Sequence, residues 1–371
     1  MNSTELLKEK VINLLKGNAT NVQDLKPYLN LTKDEEVKMG EILEKYPMSI
    51  TPYYLSLIDF NDPDDPIKKM CIPSIEETDL SGSFDTSGEK DNTVITGVQH
   101  KYKQTVIVLS TNNCAMYCRH CFRKRLVGLS DEEIATHFDE VIEYIKNHKE
   151  ISNVLISGGD ALLNSNTKIE KYLSKLCKID HLDLIRFGTR VPVVYPERIT
   201  RDNSLKEILK KYGEKKQIYI VTQFNHPREV TKESTEAIKY LREANVVIKN
   251  QTVLLKGVND NSETLGELLK KITTIGIVPY YVFQCRPVTG VKNQFQVPLK
   301  RGIDIVEGAK NLQNGQGKCF KYCMSTTRGK IEIIGKTDNN KVIFKYHQAK
   351  YEEDKGRIFI KDIDENQTWI Y

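Results

Sequence analysis

The sequence predicts an α/β protein built on a partial (β/α)6 TIM-like barrel, with a helical extension before it and a β-hairpin segment after it. Three observations lead there. Six short, apolar, β-branched stretches alternate with helical ones between about residues 105 and 310, the pattern of parallel βαβ units. The candidate functional residues follow directly on several of those stretches, at the strand ends where such barrels carry their sites. Outside this block the pattern changes on both sides, which sets expected segments of 1–95, 96–315 and 316–371.

The first seventy residues read as amphipathic helices. Ser3 can cap "TELLKEKVINLL", and Thr32 can cap "KDEEVKMGEILEKY", with Val37, Ile42 and Leu43 on one side. A loop rich in Asp, Ser and Gly runs from about Asp79 to Thr93. The alternation then begins with "TVIVLS" and the helical stretch "SDEEIATHFDEVIEYIKNHK". It continues through "VLISGGD", "LIRFGTR", "IYIVTQF", "VVIKNQTVLL" and "VPYYVFQ", each followed by a helical stretch and the last by "KRGIDIVEGAKNLQ". From about Gly317, "CFKYCMSTTRGKIEIIG" and "NKVIFKYHQAK" read as a hairpin with its loop at "KTDNN".

Composition narrows the function classes. A formal charge of +5 over 55 basic and 50 acidic residues gives little reason to expect nucleic-acid binding. No run of eighteen apolar residues occurs, so no membrane span is expected. The opening "MNSTELLKEKVINLLKG" has no apolar core of a secretory signal, and a cytoplasmic location is expected. In such a compartment eight cysteines argue for metal or redox use of some of them rather than for a disulfide framework. Cys71, Cys177 and Cys285 stand alone and read as packing residues, whereas Cys319 and Cys323 have a paired spacing with no further partner nearby.

The pattern with most chemistry is Cys114, Cys118 and Cys121, a C-x₃-C-x₂-C run directly after the first strand. Three thiolates can hold a [4Fe–4S] cube and leave one iron open to a ligand. The rival is zinc completed by a histidine, such as His120 between two of the cysteines or one more distant. Gly158, Gly159 and Asp160 end the second strand, where glycines let backbone approach a neighbour closely. The cysteine spacing, its place in the βα series and "SGGDALL" together resemble the radical S-adenosylmethionine (SAM) superfamily. That resemblance implies a [4Fe–4S] cluster on the three cysteines and SAM on its open iron. It implies a 5′-deoxyadenosyl radical as hydrogen abstractor, reduced flavodoxin or ferredoxin as electron donor, and Gly158, Gly159 and Asp160 near the SAM amino group.

Longer segments narrow the resemblance. "ITPYYLSLIDFNDPDDPIKKMCIPS", "CAMYCRHCFRKR", "LISGGDALL", "RVPVVYPERIT", "FNHPREVTKEST", "NQTVLLKGVND" and "PYYVFQC" are similar to the lysine 2,3-aminomutase family, from roughly Met48 to Tyr346. Such enzymes use pyridoxal phosphate (PLP) with SAM to move an amino group between the α and β carbons of an amino acid. The resemblance places Arg123 on the substrate α-carboxylate, where the bland alternative is a solvated basic run over Arg123, Lys124 and Arg125. It places His226, Gln251 and Tyr281 in segments lining the SAM and PLP region, and Lys330 at the PLP lysine.

The departures matter as much. Three of the family's glycines before that lysine are Thr326, Thr327 and Arg328, and two phosphate-binding arginines are Lys101 and Thr105. Two aspartates that hold a lysine side chain are Arg286 and Cys323. If Arg286 points inward, lysine is repelled and an acidic substrate is favoured; the alternative is a surface residue. The family's C-terminal cysteine cluster is missing and its partner position is Asn261, so a homo-oligomer would form without that zinc. The expectation is a radical SAM isomerase acting on a small, non-lysine amino acid. The alternatives are a PLP-independent radical SAM enzyme and a non-catalytic zinc or iron–sulfur protein with a protein partner.

Overall fold

The computed structural model describes residues 17–371. Ser3 and the helix expected after it lie outside the described residues. Twelve strands form one sheet in chain order. They are β1 (Thr93–Ile95), β2 (Val98–Tyr102), β3 (Thr105–Thr111), β4 (Asn153–Gly158), β5 (Leu184–Gly188), β6 (Gln217–Thr222), β7 (Val247–Leu254), β8 (Val278–Gln284), β9 (Lys321–Ser325), β10 (Gly329–Lys336), β11 (Val342–Ala349) and β12 (Ile358–Lys361). β3 to β8 are the six predicted strands, each parallel to the next.

The sheet extends the prediction at both ends. β9 pairs in parallel with β8, so the barrel has a seventh parallel strand that the hairpin reading absorbed. The cause is local. Thr326 and Gly329 close a tight turn with reciprocal backbone bonds, and this divides "CFKYCMSTTRGKIEIIG" into antiparallel β9 and β10. The hairpin of β10 and β11 turns at the "KTDNN" loop as expected. β2 lies antiparallel against β3 and carries β1. The edges β1 and β12 are not joined to each other, so the barrel stays open.

Strands alternate between buried and half-buried positions; β7 reads half-buried, buried four times over. One side of each faces the helical shell and packs there with residues such as Ile185, Ile220 and Ile248, while the other faces the barrel interior. Helices sit where caps permit. Thr32 and Glu35 form a capping box at the start of Lys33–Lys45, and Asn261 caps Ser262–Thr274. Two local expectations change. Val37 is exposed while Met39 and Ile42 carry the buried face. The stretch before Phe138–Asn147 is turn rather than helix.

Candidate active site

A cavity of about 350 Å³ opens at the C-terminal ends of the parallel strands. Its wall includes six basic side chains, Lys101, Arg123, Arg186, Arg190, Arg286 and Lys330, against the acids Glu89 and Asp160. Such an excess of buried cations is stable only with anions to meet it, from the protein or from a ligand.

At one end lie Cys114, Cys118 and Cys121, all free and half-buried. Burial pushes the Cys114 thiol well up, with Asp160 and the other two sulfurs adding to it; burial and Cys118 push Cys121 up to about 11. Thiolates so placed need positive charge between them. Among the described residues no three His, Cys, Asp or Glu side chains converge on a point where one ion could sit. Three cysteine sulfurs are the donor set a cube takes, each at a separate corner. His120 has its Nε2 within 3.0 Å of the Gln223 amide and 3.2 Å of the Asn225 amide, an arrangement inside the protein rather than a metal-ligand set.

The sulfur end is tightly braced. Arg190 donates to Cys118 Sγ at 2.8 Å, to Glu229 Oε1 at 2.5 Å and to the Gln223 carbonyl at 3.0 Å. Asp160 accepts from Thr189 Oγ1 at 2.5 Å and from the amides of Arg190, Val191 and Leu162 at 2.6, 3.1 and 3.1 Å. Its carboxylate is therefore given to the scaffold, and only its place on the cavity wall matches the expected ligand role. The glycines also serve the chain itself. A Cβ on Gly158 would meet the Thr111 carbonyl oxygen at 2.2 Å, and one on Gly159 the Asn113 carbonyl oxygen at 2.2 Å. Their lack of side chain lets the end of β4 dock on the backbone just before Cys114.

Two buried acids from the loop region hold the basic run. Glu77 accepts from Arg119 Nε at 2.8 Å and pairs with Lys124. Glu89 accepts from Arg123 Nε at 2.8 Å and from Arg125 at 3.1 Å. Arg123 and Lys124 are each 6% exposed, so the run is an internal ion-pair network and not a solvated face. Arg123 also donates to Ser157 Oγ at 3.2 Å.

The other end is less satisfied. The Lys330 Nζ donates to Gln348 Oε1 at 3.0 Å and sits 4.2 Å from the centre of the Tyr281 ring. Burial pushes its ammonium down to about 8, with Arg186 and Arg286 adding to the shift against the pull of Cys323. Lys101 is pushed down to about 7 by burial and then by Arg286, Lys350 and Lys330. Arg286 points inward; its Nη1 is buried without a hydrogen-bond partner, and its guanidinium carbon lies 4.1 Å from the centre of the Phe122 ring. Arg186 donates to Asn153 Oδ1 at 2.6 Å, while its Nε is buried unpartnered.

Of the sequence-predicted residues, the cavity gathers Cys114, Cys118, Cys121, Arg123, Gly158, Gly159, Asp160, Gln251, Arg286 and Lys330. It does not gather His226 or Tyr281. His226 accepts from the Arg228 amide and caps the turn Pro227–Glu229, and Gln223 reaches the wall in its stead. The Tyr281 hydroxyl bonds His347 at 2.7 Å, so the residue meets the site only beneath Lys330, while Tyr280 and Phe283 line it. Missed were Glu89, Phe122, Arg186 and Gln348. A buried acid in an apparent loop carries no local signal, but Arg186 alternates inward along "LIRFG" and was readable from strand period. Cys319 is exposed and Cys323 buried, and the two form no common site.

Residues 108–269 match the Radical SAM superfamily model. The chain is 42% identical over 308 residues to the L-lysine 2,3-aminomutase of Clostridium subterminale, covering 82% of this chain and 71% of that one. The chain belongs to the lysine 2,3-aminomutase family. Another relative, the L-lysine 2,3-aminomutase of Acetoanaerobium sticklandii, is 41% identical over 308 residues, 82% of this chain and 72% of its own. A third, named glutamate 2,3-aminomutase, from Clostridioides difficile, is 38% identical over 324 residues, 83% and 75%. Membership makes the protein an enzyme of the radical SAM superfamily and implies a [4Fe–4S] cluster and SAM. Among the described residues no helix is long and apolar enough to cross a membrane.

Proposed function

We propose that this protein is a PLP-dependent radical SAM aminomutase that moves the amino group of an acidic amino acid between its α and β carbons. The observation that carries the reading is Arg286, a guanidinium inside the cavity with a buried, unpartnered Nη1. A lysine side chain brought there would face like charges from Arg286 and Arg186, which costs several kcal/mol at close range. A carboxylate would give Arg286 the partner it lacks. The relative named for glutamate puts an acidic substrate within the family's range.

When bound, the cluster and SAM supply a 5′-deoxyadenosyl radical, and PLP supplies a carrier for the migrating nitrogen. The chain's own groups do the rest. Cys114, Cys118 and Cys121 hold the cluster, and Arg190 steadies the Cys118 sulfur. Gly158, Gly159 and Gln251 line the space beside it that SAM would take. Arg123, held by Glu89 at its Nε and by Ser157 and the Gly158 carbonyl at its Nη1, has its Nη2 for the α-carboxylate. Arg286 takes the distal carboxylate. Lys330 offers an amine whose depressed pKa leaves much of it neutral near pH 8, the form that attaches PLP. Arg186 supplies positive charge for the cofactor's phosphate, and Lys101, pushed down to about 7 by burial and neighbouring cations, gains its proton beside that anion. The close pairing of β10 with β11 positions this lysine, since a Cβ on Gly329 would meet the Gln348 carbonyl oxygen at 2.2 Å.

The test is product analysis on anaerobic, cluster-reconstituted protein with PLP, SAM and dithionite. β-Glutamate from L-glutamate and no β-lysine from L-lysine is the expected result. Turnover of lysine, or SAM cleavage with no isomer from L-glutamate, would sink the reading.

A further inference from the structure

One ring of the cavity wall belongs to neither the cluster nor any assigned role. Phe122 follows Cys121 directly and lines the cavity. The guanidinium carbon of Arg123 lies 4.7 Å from its ring centre, and that of Arg286 lies 4.1 Å from the same centre. Residues 123 and 286 come from distant parts of the chain, yet both cations rest on a single aromatic side chain. The two carbons can therefore be no further apart than the sum of those distances. A ring's negative faces and edge-on bulk hold such cations in place while its body keeps them apart. Glu89 anchors one of the pair through Arg123 Nε at 2.8 Å, so the ring's position fixes the other relative to it.

We propose that Phe122 is the specificity-determining residue for substrate length, a spacer that sets the separation between the α-carboxylate and distal-carboxylate sites. The inference rests on the reading that Arg123 and Arg286 take the two carboxylates. Both sites then converge on one ring, and a short dicarboxylic amino acid spans them. Each added methylene must fold back against Phe122 or leave one guanidinium unmet.

The experiment is titration calorimetry of the reconstituted, unreduced protein with L-aspartate, L-glutamate and the longer homologue L-2-aminoadipate. For the unmodified protein the better of the two shorter acids should bind at least tenfold more tightly than aminoadipate. Phe122→Leu keeps an apolar side chain of similar bulk but loses the aromatic face; it should reduce that ratio to threefold or less. Phe122→Tyr, which keeps the face, should preserve it, and the cluster's visible absorption reports that each variant retains its fold. An unchanged ratio in Phe122→Leu overturns the proposal. Binding of none of the three acids by the unmodified protein sinks the acidic-substrate reading, and the proposal falls with it. Binding of the acids with no length preference overturns the proposal alone.

Discussion

The two ends of the cavity are built on opposite terms. At the sulfur end nearly every polar group is spoken for: Asp160 holds four donors, Arg190 three acceptors, and the glycines of β4 seat that strand on the cysteine loop. At the lysine end the cations meet only neutral oxygens: Lys101 donates to the carbonyls of Ser87 and Thr326, Lys330 to Gln348 and Arg186 to Asn153. Arg286 and Arg186 each bury an unpartnered nitrogen, and Lys101 and Lys330 are pushed down to about 7 and about 8. The comparison separates two tasks within one wall. Radical generation needs a rigid frame that is complete before any substrate arrives, whereas recognition leaves groups waiting for the charge a ligand brings.

The comparison can be broken most sharply at its extremes. Cys118→Ala should abolish both the cluster's visible absorption and SAM cleavage, a loss of about 10³-fold or more. Lys330→Ala should lose amino migration to a similar extent while reductive SAM cleavage survives. If both substitutions removed both activities equally, the two ends would be one functional unit and the contrast would fail. Arg286→Gln comes next. Losing the partner of a buried carboxylate should weaken acid turnover by roughly 2–5 kcal/mol in kcat/KM, with the cluster spectrum unchanged.

A structural test sharpens the frame side. Glu77→Gln leaves Arg119 and Lys124 buried without their anion, and denaturant unfolding should report a loss of about 3–5 kcal/mol. The smallest effect is in pH. Lys330 must be neutral to attach PLP, so loading should plateau above about pH 8 and fall about tenfold per unit below it. An unshifted lysine would move that plateau to beyond pH 10, which would remove the case that the lysine end is desolvated.

The same contrast explains what could be read without coordinates. The six parallel strands were legible because each is a short apolar run between helices, and the cysteines because three ligands fall within eight residues. The sequence marked Arg286 as a replaced acid but left its direction open between the interior and the surface; the structure turns it into the cavity. β9 was not legible, since a three-residue turn splits one apolar stretch and periodicity alone does not mark the break. Glu89 and Gln348 were hidden because their meaning arises only when residues 89, 123, 330 and 348 meet. His226 and Tyr281 lie on the right segments but face other partners. Local pattern finds the frame; the recognition end is assembled from remote positions.

The most direct measurement is borohydride reduction of anaerobic, PLP-loaded protein followed by peptide mapping. The account predicts a phosphopyridoxyl adduct on Lys330, with Lys101 unmodified. An adduct on Lys101, or none while SAM is still cleaved on reduction, would contradict it.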